Sequence, residues 1–266
     1  MSNLTVRVIT ALLGLPLVLV PLWYGGAAFQ AVVLIIAAAA LCEFLSITGF
    51  AADRKAYAFG LALGLAVAVA TTTAPLKFMG PVLVAAALVS FLWHLFFFGE
   101  MPTAAARAAL MLFGAVYAGI LPTFLFHLRA LAHGFGWVFM VLAIVWMADT
   151  GAYFSGRAFG KRKLYPAVSP GKTWAGAVGG LAASVAGAFL TRWLFLPGLT
   201  PLHCVIIAVP ASALGQAGDL CESLLKRAYG VKDSGRTIPG HGGMLDRFDA
   251  IFFAAPYVWV AARLLQ

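Results

Sequence analysis

Charge is scarce in this chain of 266 residues. Only 10% of them are Asp, Glu, Lys or Arg, where a soluble globular domain carries roughly 25%, so the chain lacks the polar surface to be one. Cysteine is scarcer. Cys42, Cys204 and Cys221 are an odd number without paired spacing, which excludes a disulfide framework and a cysteine zinc site; all three read as small core residues. Acids number nine against eighteen Lys and Arg, and no internal repeat suggests the inverted halves of a transporter. What fills the chain is apolar: 63% hydrophobic residues and a mean hydropathy of +0.97. Soluble, disordered and fibrous classes fall away. An all-α, polytopic membrane protein remains.

Apolar runs bounded by Gly, Pro and charge predict about nine transmembrane helices, near 8–25, 27–48, 57–74, 79–98, 106–127, 135–155, 173–196, 202–225 and 248–265. A crossing takes about 20 residues, so nine of them leave only short loops and one or two longer ones. The N-terminal stretch from Met1 to Arg7 with its apolar run reads as a retained first anchor, since many further spans follow. Gly25-Gly26 predicts that the first two spans form a tight hairpin or a partly re-entrant pair. Fourteen of the eighteen Lys and Arg fall on one side of this layout; Lys77, Arg129, Arg192 and Arg263 fall on the other. That asymmetry puts the N-terminus and both long loops in the cytoplasm of a cell (plasma or inner) membrane. A net charge of +9 would suggest nucleic acid on a soluble protein. Here it is an orientation signal, and no nucleic-acid partner is expected. Residues 1–130 read as N-terminal transmembrane helices for lipid and packing, and 131–266 as a catalytic transmembrane region. Gly60/Gly64 and Gly176/Gly180 have the GxxxG spacing of close helix contacts.

Five of the nine acids crowd into residues 219–249. A carboxylate at membrane depth costs about 2.5–3.5 kcal/mol on insertion scales, so such a cluster calls for a partner or a function. Asp219, Glu222, Ser223 and Lys226 share one helical face at offsets 0, 3, 4 and 7. Asp246 and Asp249, three apart, open the last span, and acids suit a helix N-terminus. Two helix ends with spaced carboxylates, and no His or Cys cluster, suit Mg²⁺, which takes one or two carboxylates together with substrate phosphates. The competing reading is that these acids only neutralise Lys226, Arg227, Arg236 and Arg247. Between the two ends runs Lys232-Asp233-Ser234-Gly235-Arg236-Thr237-Ile238-Pro239-Gly240-His241-Gly242-Gly243. Its cations, hydroxyls and glycines make an anion cradle.

Asp149, late in the sixth span, either pairs with Arg157 or reaches the metal region. The basic run Lys161-Arg162-Lys163 suits an orientation signal or anionic lipid. Ser169-Pro170-Gly171-Lys172-Thr173 imitates the end of a phosphate-binding P-loop, but Pro166 stands at the first glycine position and no strand precedes it. As an anion-binding turn opening the seventh span it still has the right chemistry. Isolated His94, His127, His133 and His203 read as satisfied or interfacial residues. Glu43, an acid within the second span, has no evident partner.

The stretch from Ser223 to Asp249 resembles the characteristic segment of phosphatidate cytidylyltransferases (CDP-diacylglycerol synthases). It fits at Ser223, Lys226-Arg227, Lys232-Asp233, Gly235, Pro239, His241-Gly242-Gly243, Asp246-Arg247 and Asp249. The segments around Asp149 and around Lys172-Thr173-Trp174 are also similar to that family, so the likeness covers about the C-terminal half. Ala175 departs from it, since the family commonly has an acid or amide there, and no polar role is carried to that position. The resemblance implies an all-helical polytopic fold, a homodimer, a divalent metal such as Mg²⁺ with a monovalent cation such as K⁺ beside it, and the conversion of CTP and phosphatidic acid to CDP-diacylglycerol and pyrophosphate. Metal then falls to Asp219 and Asp246, with Asp249 or Glu222 assisting, and Lys226 joins the catalytic set. Substrate contacts fall to Ser223, Arg227, Lys232, Asp233, Arg236, His241 and Arg247, with Ser169, Lys172 and Thr173 from the other loop. The acyl chains stay between helices, in contact with membrane lipids. An ion-coupled transporter and a polyprenol or lipid kinase are the rival functions. The first would spread its acids through mid-membrane, and the second would transfer a γ-phosphate.

Overall fold

Each predicted apolar run coincides with helix, the structure in which a single segment satisfies its own backbone N–H and C=O groups inside hydrocarbon. The computed structural model describes residues 3–74, 76–97, 99–240 and 242–265. His241 and the first two residues of the expected anchor lie outside the described residues, as does the side chain of Arg7. In chain order the helices are α1 (Asn3–Tyr24), α2 (Gly26–Ile47), α3 (Arg54–Thr73), α4 (Met79–Phe96), α5 (Met101–Gly114), α6 (Thr123–Arg129), α7 (Gly134–Phe159), α8 (Trp174–Phe195), α9 (Pro201–Ala228) and α10 (Leu245–Leu264). Among the described residues seven segments are long and apolar enough to cross a membrane: α2, α3, Leu76–Phe96, Met101–Arg129, α7, α8 and α9. The fold is the expected all-α, polytopic one. Between α1 and α2 the backbone turns at Gly25 and Gly26, both left-handed at φ 71° and 55°, a conformation that glycine adopts without strain.

Two local departures have physical causes. The fifth predicted span is not one α-helix, because Ala115–Ile120 widens into a π-helical turn in which Leu121 N–H donates to Val116 O at 3.1 Å. There Gly119 lies against α3 so closely that a Cβ would stand 2.9 Å from Gly64 O, and Pro122, having no N–H, cannot continue the ladder. The second departure is a hairpin of β1 (Lys163–Tyr165) and β2 (Ser169–Thr173), antiparallel, with Lys163 opposite Thr173 and Tyr165 opposite Ser169. It is tied to α8 by Trp174 N–H donating to Arg162 O at 3.0 Å and by the Arg162 guanidinium 5.9 Å over the Trp174 ring.

The chain forms two compact units. The first is Met1–Phe126 with Asp233–Leu245; the second is His127–Lys232 with Asp246–Gln266. Within the first, Gly60 and Gly64 receive Leu45 and Leu41 of α2, whose Cδ2 atoms would lie 2.9 and 2.6 Å from an added Cβ. Within the second, α7 and α8 run against each other backbone to backbone. A Cβ on Gly176, Gly180 or Gly187 would meet the carbonyl of Ala152, Ala148 or Ala143 at 3.0, 2.9 or 2.6 Å. Both GxxxG pairs therefore serve helix contact. Among the cysteines, Cys204 is buried and Cys42 half-buried, but Cys221 is exposed, so the core reading fails for Cys221. His203 is structural: its side chain and that of Thr200 form a reciprocal cap at the start of α9.

Candidate active site

The polar face of α9 forms as its spacing predicts. Ser223 Oγ donates to Asp219 Oδ1 at 3.4 Å, and one turn on Lys226 Nζ donates to Glu222 Oε2 at 2.6 Å. The same ammonium reaches Asp246 Oδ1 in the first turn of α10 at 2.5 Å. Lys226 thus bridges two carboxylates from two helices. Side-chain exposure is 1% for Glu222, 12% for Lys226 and 13% for Asp246, so water screens this triad weakly. Asp249, buried one turn after Asp246, is close enough to Asp219 and Glu222 for their charges to act on it. Gly218 permits this approach of α10: a Cβ there would stand 2.7 Å from Asp249 O.

A second charged pair closes on Asp219 from the hairpin. Lys172, in β2, places its ammonium 2.7 Å from Asp219 Oδ2. Next to it Thr173 is buried and caps α8, its Oγ1 accepting from Gly176 N at 3.1 Å. Ser169, Lys172, Thr173 and Asp219 line a cavity of about 440 Å³, together with Asp149 and Gln216. Asp149 and Arg157 both line this cavity. The charged neighbours of Asp149 are Asp219, Lys172 and Arg247, whereas Arg157 donates to the Tyr153 hydroxyl at 3.3 Å. Asp149 and Gln216 are cavity residues whose place the sequence did not reveal.

This donor set suits a hard divalent cation. Asp149, Asp219, Glu222, Asp246 and Asp249 stand against Lys172, Lys226 and Arg247, a formal excess of two negative charges. Glu222 Oε1 is buried without a hydrogen-bond partner among the described residues. Among those residues no group of three or more His, Cys, Asp or Glu side chains converges as a ready-made metal cage.

From Asp233 onward the glycine-rich segment belongs to the first unit, and its internal geometry is set by an unexpected residue. Lys232, Asp233 and Arg236 are exposed, as is Arg227, whose Nη1 donates to Val231 O at 3.4 Å. Ile238 and Gly242 exchange backbone hydrogen bonds of 2.9 and 3.2 Å around a turn with Gly240 and Gly242 at φ 76° and 90°. The buried Glu43 of α2 accepts from Ser234 Oγ at 3.0 Å, Thr237 Oγ1 at 2.5 Å, Met244 N at 2.8 Å and Leu245 N at 2.9 Å. A Cβ on Gly235 or Gly243 would stand 2.6 Å from a Glu43 oxygen. Those two glycines, expected from the sequence to admit an anion, admit this carboxylate. The only signal for Glu43 in the sequence is an acid inside a span.

Comparison with known proteins places these features in a family. The model of the cytidylyltransferase family matches residues 5–265, and the chain belongs to that family. It is 38% identical to a phosphatidate cytidylyltransferase of Brucella suis over 262 residues, 98% of this chain and 93% of that one. It is 47% identical to a phosphatidate cytidylyltransferase of Haemophilus influenzae over 129 residues, 47% of this chain and 45% of that one. A phosphatidate cytidylyltransferase of Bacillus subtilis is 39% identical over 153 residues, 57% of either chain.

Proposed function

We propose that this chain is the enzyme that transfers the cytidylyl group of CTP to phosphatidic acid. A phosphatidate oxygen attacks the α-phosphorus of CTP, the bond from that phosphorus to the bridging β-phosphate oxygen breaks, and pyrophosphate leaves with the electron pair. CDP-diacylglycerol remains. The nucleophile is already anionic, so little base catalysis is needed; the difficulty is to hold two polyanions together and stabilise the leaving group. One observation carries the reading: the cytidylyltransferase family matches residues 5–265 of a chain whose own Glu222, Lys226 and Asp246 meet where α9 ends and α10 begins.

Asp219 and Asp246, with Asp249 or Glu222 assisting, are the residues to hold Mg²⁺, which when bound supplies positive charge to the transferring phosphate. Lys172 and Lys226 sit on those same carboxylates. Were those acids to hold the cation, Lys172 and Lys226 would be released from them to bind phosphate oxygens. Ser169 and Thr173 stand at the wall of the same cavity, and Arg247 adds charge near Asp149. Lys232, Asp233, Arg236 and His241 are proposed for the substrate, with Ser223 and Arg227. A K⁺ ion beside Mg²⁺ and a homodimer are expectations that rest on the family resemblance. The cytoplasmic face of the cell membrane as the site's location rests on the one-sided distribution of Lys and Arg.

The test is the purified protein in lipid micelles with α-labelled CTP and phosphatidate. Labelled CDP-diacylglycerol and pyrophosphate should form in equal amounts and cease on chelation of divalent metal. Release of CDP would identify a lipid kinase, and no turnover would favour transport. Cysteines introduced at Lys161 and Lys232 should label from the same side of sealed vesicles; opposite-side labelling would refute the orientation.

A further inference from the structure

Glu43 is the one charged residue of α2; it is buried, and all four of its hydrogen-bond donors come from residues 234–245. Two of them, Met244 N and Leu245 N, are backbone amides at the start of α10, where a helix has no acceptor of its own to offer. A carboxylate there satisfies both donors and suits the positive end of the helix. It is supplied by a residue about 200 positions upstream. Asp246 is the next residue in the chain.

We propose that Glu43 is a positioning residue for cytidylyl transfer: it fixes the 234–245 segment and the first turn of α10, and so the backbone from which Asp246 projects. The proposal rests on the reaction assigned above. A carboxylate accepting two hydrogen bonds on each oxygen leaves the segment little freedom. The amide of Gln would turn a donor toward one pair of donors and lose that anchorage. Gly235 and Gly243 complete the device, since any side chain at either would push the carboxylate out.

The experiment compares wild type with E43Q, T237V and the double variant in lipid micelles, reading kcat, KM for CTP and hydrogen exchange at Met244 and Leu245. E43Q should lower kcat about 10- to 100-fold, the scale expected of a small misplacement of a reacting group. KM should move less than about three-fold, while exchange at those two amides accelerates and that of α3 does not. T237V should show a smaller loss of the same kind, and the double variant should be no worse than E43Q, because both remove one interaction. E43Q with wild-type kcat overturns the proposal. So does a loss that multiplies fully with T237V while exchange quickens throughout α2 and α3, the signature of general destabilisation. If E43Q does not fold, T237V alone decides: lower kcat with faster exchange at Met244 and Leu245 supports positioning, and no change overturns it. Exchange needs no substrate. A wild-type chain inactive toward CTP would remove the assigned reaction and leave the Glu43 clamp to be judged by exchange.

Discussion

Glu43 and Glu222 are both buried acids, and they are neutralised in opposite ways. Glu43 is held by four neutral donors, two of them backbone amides. Glu222 is held by a single ammonium, that of Lys226, which it shares with Asp246. The first arrangement cannot open without unmaking local backbone, so it acts as scaffold. The second can exchange partners, because a lysine on a flexible four-carbon stem gives way when a stronger counter-charge arrives. Under the proposed function, chemistry sits where acids are balanced by lysines, and architecture sits where an acid is balanced by dipoles.

The sharpest way to break the comparison is Lys226→Met. It leaves Glu222 and Asp246 without their shared cation, and breaking a buried pair costs about 3–5 kcal/mol. The denaturation midpoint of the purified protein should fall accordingly, with activity lost; an unchanged midpoint would mean the triad is not buried as described. Next come Asp219→Asn and Asp246→Asn, each expected to lower turnover at least ~100-fold, as losing an electrostatic catalytic group does. Near-normal CDP-diacylglycerol synthesis by both would remove them from the metal site. Smallest is Asp53→Asn. Asp53 caps α3 by accepting from Lys55 N at 2.9 Å and Ala56 N at 3.2 Å, and Asn caps about as well. Stability should stay within about 0.5 kcal/mol with turnover unchanged, and a large loss of activity would show that the acids divide differently from this account.

The sequence disclosed whatever depends on near neighbours. Hydropathy found the helices, since each span is a continuous local property. Helical periodicity found the face of Asp219, Glu222, Ser223 and Lys226, which are at most seven residues apart. It did not find the hairpin, whose strands have three and five residues, too few to show a period of two. Nor did it find the π-helical turn, which depends on how closely Gly119 approaches Gly64. The site was legible along α9 and in the pairing of α9 with the start of α10, but not in what the other elements bring to it. That Lys172 would lie on Asp219, or Asp149 near Arg247, is a tertiary fact. Glu43 was unreadable for a further reason: two of its donors are backbone amides, which every residue but proline owns, so they leave no mark in the order of side chains.

The glycine contacts between α7 and α8 also bear on the cavity. Ala148, Ala152 and Gly176 take part in those contacts and line the cavity as well. One seam thus both joins the helices and shapes the hollow beside Asp219. A bulkier residue at Gly176 would press on the Ala152 carbonyl and deform that hollow from a position that carries no charge.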